Sequence, residues 1–144
     1  MIQDDHGTQP FVVDIEEATV VNDTFRTAIW TGEQLQMTVM SIPVGEEIGL
    51  ELHDENDQFL RIEQGQARVL MGDSPDNLTF DAPASDDFGI FVPKGKWHNI
   101  INTGDEPLKL YSIYAPSHHP SGTVHATKAE ADEAEAAEHA AQHA

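Results

Sequence analysis

Two short stretches of the chain hold residues whose types and spacing could do chemistry. In the segment from Pro93 to Asn102, a Pro93-Lys94-Gly95 turn delivers a strand whose second residue is His98. Strand alternation then places His98, Ile100 and Asn102 on one face and Trp97 and Asn99 on the other, so His98 is an imidazole on an apolar wall. In the segment from Gly45 to His53, Glu51 and His53 share a face with Gly49, while Leu50 and Leu52 take the opposite one. Gln58 opens the next run beyond the polar turn from Asp54 to Asp57, and a turn of that length can return it opposite His53. Glu51, His53, Gln58 and His98 are therefore four oxygen and nitrogen donors that can converge on one divalent metal. Glu51 with the two histidines is the two-His, one-carboxylate face that leaves coordination positions open. A buried histidine taken alone is more often a structural residue, and Glu51 taken alone sits among Glu46, Glu47, Asp54, Glu55 and Asp57 as one more solvated acid. The spacing of the set, not any one member, carries the reading.

The elements that must position these donors are strands. From Phe11 to Pro116 the sequence consists of short apolar or alternating runs, none holding a 3.6-residue period long enough for a helix. The runs are 11–15, 25–30, 34–42, 48–53, 58–63, 66–71, 77–80, 88–92, 97–102 and 108–114. Turn residues cut them apart: Thr31-Gly32, Pro43-Val44-Gly45, Gln64-Gly65, Asp73-Ser74-Pro75-Asp76, Pro93-Lys94-Gly95 and Thr103-Gly104. Many short strands at even spacing predict an all-β sandwich or barrel over residues 1–116. Residues 117–144 read as a loop and an acidic, alanine-rich tail with almost no large apolar residue. Thr127 followed by Glu130 has the pattern of a capping box and predicts a helix from about Lys128, lying outside the core.

At these positions the chain resembles a single-domain cupin. The first cupin motif runs Gly, five residues, His-x-His, three or four residues, Glu, six residues, Gly, and Gly45, Glu51-Leu52-His53, Gln58 and Gly65 fall on its spacings. The second, Pro-x-Gly-x-x-His-x-x-x-Asn, is matched by Pro93, Gly95, His98 and Asn102, with Asp87 where a glycine precedes the proline by six residues. The similarity runs from about Gln36 to Pro116 and is greatest to small bacterial cupins of the mannose-6-phosphate isomerase-like group. The resemblance implies a double-stranded β-helix of jelly-roll type with a mononuclear metal in its mouth. Two departures bear on that site: Glu51 stands at the first histidine and Gln58 at the glutamate, an exchange that keeps one carboxylate in the set. Gln58 in that position resembles cupins that linearise unsaturated uronates, where a glutamine completes the site. The metal expected is one Fe, Mn, Ni or Zn ion per barrel.

Composition limits the partners. The chain has 26 acidic and 7 basic side chains among 144 residues, a formal net charge of −19, and no cysteine. That charge repels phosphate backbones and anionic lipid, so nucleic acid and membrane are not expected partners. The absence of cysteine removes disulfides, thiolate zinc sites and iron–sulfur clusters, and leaves histidine, carboxylate or amide oxygen to hold any metal. No apolar run reaches the roughly 18 residues of a membrane span, and the expected location is the cytoplasm. Two functional readings follow. One is a metalloenzyme of isomerase, lyase or dioxygenase type acting on a small polar or sugar-like molecule, with no general base identified. The other is a non-catalytic sensor or accessory module holding a small ligand or metal. A phosphate substrate lacks a basic clamp, because only Arg61, Lys94 and Lys96 lie near the motifs. His118, His119 and His125 read as a polar loop rather than a lid, and Tyr111 and Tyr114 have no assigned role. His139 and His143, spaced to chelate on one helix face, lack a third ligand. The run 108–114 is apolar on both faces, which predicts a homodimer through the outside of the barrel.

Overall fold

A computed structural model of the chain describes residues 4–142. The elements are α1 (Ile15–Val20), β1 (Arg26–Thr31), β2 (Gln36–Ile42), β3 (Glu51–Leu52), β4 (Asp57–Gln64), β5 (Gln66–Gly72), β6 (Phe80–Ser85), β7 (Gly89–Val92), β8 (Trp97–Asn102), β9 (Leu108–Ala115), β10 (Val124–His125) and α2 (Lys128–Gln142). All pairings are antiparallel, in a six-stranded sheet of order β10-β1-β2-β9-β4-β7 and a four-stranded sheet of order β3-β8-β5-β6. This is the all-β jelly-roll barrel with a C-terminal helix expected from the strand spacing. No helix among the described residues is long and apolar enough to cross a membrane.

Strand alternation divides the barrel interior in two. Met40, Ile42, Leu60, Ile62, Val69, Ile100, Leu108 and Leu110 form an apolar core. The inward positions beyond it on the six-stranded sheet are polar: Arg26, Gln36, Thr38, Gln58 and Ser112, together with Tyr114, are all buried. The apolar half holds the sheets together, and the polar half is the mouth.

Three expectations are corrected. The run 11–15 is not a strand. Asp14 caps a helix instead, its Oδ1 accepting the Glu17 N–H at 3.1 Å, and Asp14-x-x-Glu17 is the sequence signal that the missing periodicity concealed. The run 77–80 belongs mostly to a turn closed by the Asn77 N–H on the Ser74 carbonyl. β6 starts only at Phe80 and tolerates Pro83 because it is the edge of its sheet. The tail helix begins at Lys128 with Thr127 Oγ1 accepting the Glu130 N–H, but it does not lie outside the core: Ala131 is 1% exposed and belongs to the apolar cluster. Small residues suffice there because a helix can approach the barrel closely through alanine.

The burial of β9 on both faces also has an internal cause. Tyr111 and Ile113 on its outer face pack with Ala18, Ile29, Met37 and Val39, beneath Val13 and Ile15. α1 and the segment before it thus cover part of the outer face of β9 from within the same chain. The backbones of Val124 and His125 form β10, where Arg26 and His125 are direct register partners.

Candidate metal centre

The two motifs are brought together by backbone pairing. In the β3–β8 ladder Glu51 stands directly opposite His98, and Leu52 opposite Trp97. Beyond β3 the chain is held by the Pro93-Lys94-Gly95 turn: the Gly95 N–H donates to the His53 carbonyl at 2.9 Å, and the Lys94 N–H to Asp57 Oδ1 at 2.9 Å. Gly95 has φ +82°, a conformation that β-carbons disfavour, which is why the turn needs glycine at that position. Asn102 closes the far end of β8. Its Nδ2 donates to the carbonyls of Ile42, Pro43 and Glu106, and its Oδ1 accepts the Gly104 N–H, so the motif asparagine is a structural pin. Asp87, at the position of the family glycine, has φ +73°; the left-handed backbone persists because aspartate tolerates it better than most side chains.

Glu51, His53 and His98 offer one ligand atom each within 4.8 Å of one another. Leu50 and Leu52 point outward, at 40% and 39% exposure, as alternation requires. His98 Nδ1 lies 3.0 Å from the Lys96 carbonyl, so that nitrogen carries the proton and the buried Nε2 keeps a bare lone pair without a hydrogen-bond partner. His53 Nε2 is 3.1 Å from Glu51 Oε2, and its buried Nδ1 is without a partner. Gln58, 6% exposed, donates through Nε2 to Ser112 Oγ at 2.7 Å, which leaves Oε1 buried and unpartnered. It faces the same interior as its register partner Tyr114, whose ring packs edge-on to His53. Buried polar atoms are ordinarily satisfied, so the lone pairs left over on His98 Nε2 and Gln58 Oε1 are ones a ligand could use. Burial would raise the Glu51 carboxyl, but the hydrogen bond from His53, the guanidinium of Arg26 and the neighbouring histidines hold it down at about 2. It is a carboxylate at any physiological pH. Desolvation lowers His98, which keeps its imidazole neutral, the form that ligates metal.

The tertiary structure adds residues that motif spacing missed. Arg26, 1% exposed, sends Nη2 to within 3.7 Å of Glu51 Oε1 and Nη1 to within 3.6 Å of Glu135 Oε1 on α2. Its Nη1 also contacts His125 Nδ1 at 3.4 Å, and it interacts with the Tyr114 phenol. Tyr114 lies under a layer of imidazoles: His119 Nε2 is 3.4 Å from its hydroxyl, and His118 stacks on its ring at 5.4 Å. His118 also meets His53 edge-on at 4.3 Å while remaining exposed at the rim. The expectation of a merely polar loop is therefore wrong. His119 and His125 are buried, and Gln36 fastens the loop by accepting the His118 and His119 N–H groups and donating to the His119 carbonyl. Desolvation lowers His118 to about 4, with His53 contributing, so it is a free base at neutral pH. The only sequence signal for this layer is the density of histidine after the last long strand. The side chain of His139 and the whole of His143 lie outside the described residues.

Comparison with known proteins agrees with this architecture. The cupin domain family matches residues 38–114. The uncharacterized protein YrkC of Bacillus subtilis (strain 168) is 61% identical over 131 residues, covering 91% of this chain and 70% of YrkC. The uncharacterized protein L612 of Acanthamoeba polyphaga mimivirus is 38% identical over 117 residues, covering 81% of this chain and 71% of L612. The crystal structure of BH2720 from Bacillus halodurans superposes with a TM-score of 0.89 at 58% identity, covering 90% of this chain and 98% of that one. With both motifs on paired strands and the family matching more than half of its length, the chain belongs to the cupin family.

Proposed function

We propose that this cupin is a metal-dependent enzyme in which Glu51, His53 and His98, with Gln58 as fourth donor, hold one divalent Fe, Mn, Ni or Zn ion. The observation that carries the reading is the convergence of a carboxylate and two imidazoles within 4.8 Å, where His98 Nε2 is buried and unpartnered; Gln58 Oε1, also buried and unpartnered, belongs to the same polar interior. The donor set fits: one carboxylate partly neutralises the cation, neutral imidazoles suit late first-row metals, and the Lys96 carbonyl and Ser112 hydroxyl orient His98 and Gln58 from behind. When bound, such an ion polarises a carbonyl or stabilises an enediolate, and iron would add O₂ chemistry.

The chain's own residues favour turnover over storage. A site that only sequestered metal would be walled by apolar side chains, whereas this one is ringed by Tyr114, Ser112, Arg26 and His118. His118, at the rim, in contact with His53 and without its second proton at neutral pH, offers a hydrogen-bonding imidazole to a molecule entering there. The reaction class is isomerisation, lyase chemistry or oxygenation of a small polar molecule.

Metal content by mass spectrometry tests the reading, using full-length protein without an affinity tag in which His139→Ala and His143→Ala remove adventitious binding by the tail. About one transition-metal ion per chain, lost in His98→Ala, is expected. A protein that takes up none of the four metals even when they are added, or holds them equally well in His98→Ala, overturns it.

A further inference from the structure

We propose that Arg26 is the anchor for a carboxylate group of the bound molecule, and that Glu135 of α2 occupies this anchor as an internal stand-in that the ligand displaces. The inference rests on the reading of Glu51, His53 and His98 as a ligand-binding centre and names the substrate class: a small carboxylic acid bearing a second oxygen donor.

Arginine is almost never fully buried unless it is paired, and Arg26 is 1% exposed. Besides His125 at 3.4 Å and the Tyr114 phenol, its partners are two carboxylates, and those ion pairs are poor ones. The contacts to Glu51 and Glu135, 3.7 and 3.6 Å, exceed the roughly 2.7–2.9 Å of a good charge-assisted bond, and its buried Nε has no partner. A planar fork with five N–H donors, suited to grip a carboxylate through two of them, is left with donor capacity unused beside the metal ligands. Glu135 is an ill-suited permanent occupant. Burial and the nearby Glu51 carboxylate both push its carboxyl upward, and the helix carrying it is alanine-rich, with Ala131 its core contact. Charge points the same way. Two carboxylates against one guanidinium leave the pocket negative by one and a divalent cation makes it positive by one, so a dianionic ligand that replaces Glu135 brings it to neutrality.

The test is calorimetric titration of malonate, with malonamide as the uncharged control, into the wild type, Glu135→Gln and Arg26→Gln at constant ionic strength, each with and without added Mn²⁺. Malonate is expected to bind Glu135→Gln about ten-fold tighter than the wild type, because the competitor has lost its charge, and Arg26→Gln at least ten-fold weaker. Malonamide should show no such order, and malonate should speed amide hydrogen exchange along α2 in the wild type. Malonate affinities equal within about two-fold in the wild type and Glu135→Gln, or malonamide following the same order, overturn the proposal. Arg26→Gln replaces a buried charge; if it fails to fold, the Glu135→Gln comparison and the exchange of α2 still decide. Mn²⁺ affinity of the same proteins separates the two readings. Metal binding without the malonate order defeats the anchor alone, whereas the malonate order without metal binding upholds the anchor and defeats the metal centre.

Discussion

Glu51 and His98, which belong to different motifs, are direct partners across the antiparallel β3–β8 ladder, with Glu51 Oε2 4.0 Å from His98 Nε2. A register partner in a ladder is placed by main-chain hydrogen bonds and cannot shift by one residue without turning its side chain to the other face. The carboxylate and one imidazole of the proposed centre are therefore set opposite each other by backbone pairing, before any metal arrives.

Gln58 stands on β4 in the other sheet, which makes its contribution separable. Gln58→Glu adds a carboxylate to a site that already has one and should raise divalent-metal affinity, whereas Gln58→Leu removes the fourth donor and should lower it by about ten-fold or more. Competition with a chelator of known affinity measures both. Equal affinities for the wild type and Gln58→Leu would take Gln58 out of the ligand set.

Tyr114 joins Arg26, Ser112 and His119 in one buried network. Tyr114→Phe keeps the ring packing and removes only the hydroxyl, so it should cost about 1–3 kcal/mol through the groups left unpartnered. Urea denaturation checks this. A change below a few tenths would mean that the phenol is not integral to the network.

The histidine layer predicts acid sensitivity. His119 is 5% exposed, and desolvation, followed by Arg26 and the adjacent histidines, holds it well below the usual imidazole range. Its folded pKa lies below its unfolded one, near 6.5, so its contribution is fully present above about pH 6.5 and declines as pH falls below that. Stability measured in urea with a chelator present should drop between pH 7.5 and 5, and His119→Gln should flatten the slope. An unchanged slope would assign the acid sensitivity to other groups.

Docking of the tail can be tested at Ala131. Ala131→Glu would bury an unpaired carboxylate in the apolar cluster, a cost of several kcal/mol that the chain can escape by releasing α2. Faster hydrogen exchange along α2, with the strands still protected, is the expected result. Unchanged protection of α2 would contradict the packing.

Much of the fold and half of the centre could be read from sequence, for a local reason. Strand alternation and turn chemistry act over a few residues, so Pro93-Lys94-Gly95 announced a turn, the Glu51-x-His53 pair declared a shared face, and β8 ran from Trp97 to Asn102 as expected. The same locality explains what was missed. α1 is only six residues long, too short to display a period, and only its cap betrays it. Arg26 looked like one more scattered cation and Glu135 like one more tail acid, because burial of a charge leaves no pattern along the chain. Both acquire meaning only when β1, β3, β10 and α2 meet at the mouth. The sequence alone determined which residues could ligate a metal and that strands would present them. Tertiary structure decided their convergence, the internal cover over β9 and the imidazole layer beside the site, since long-range packing, not local propensity, sets which desolvated groups must answer one another.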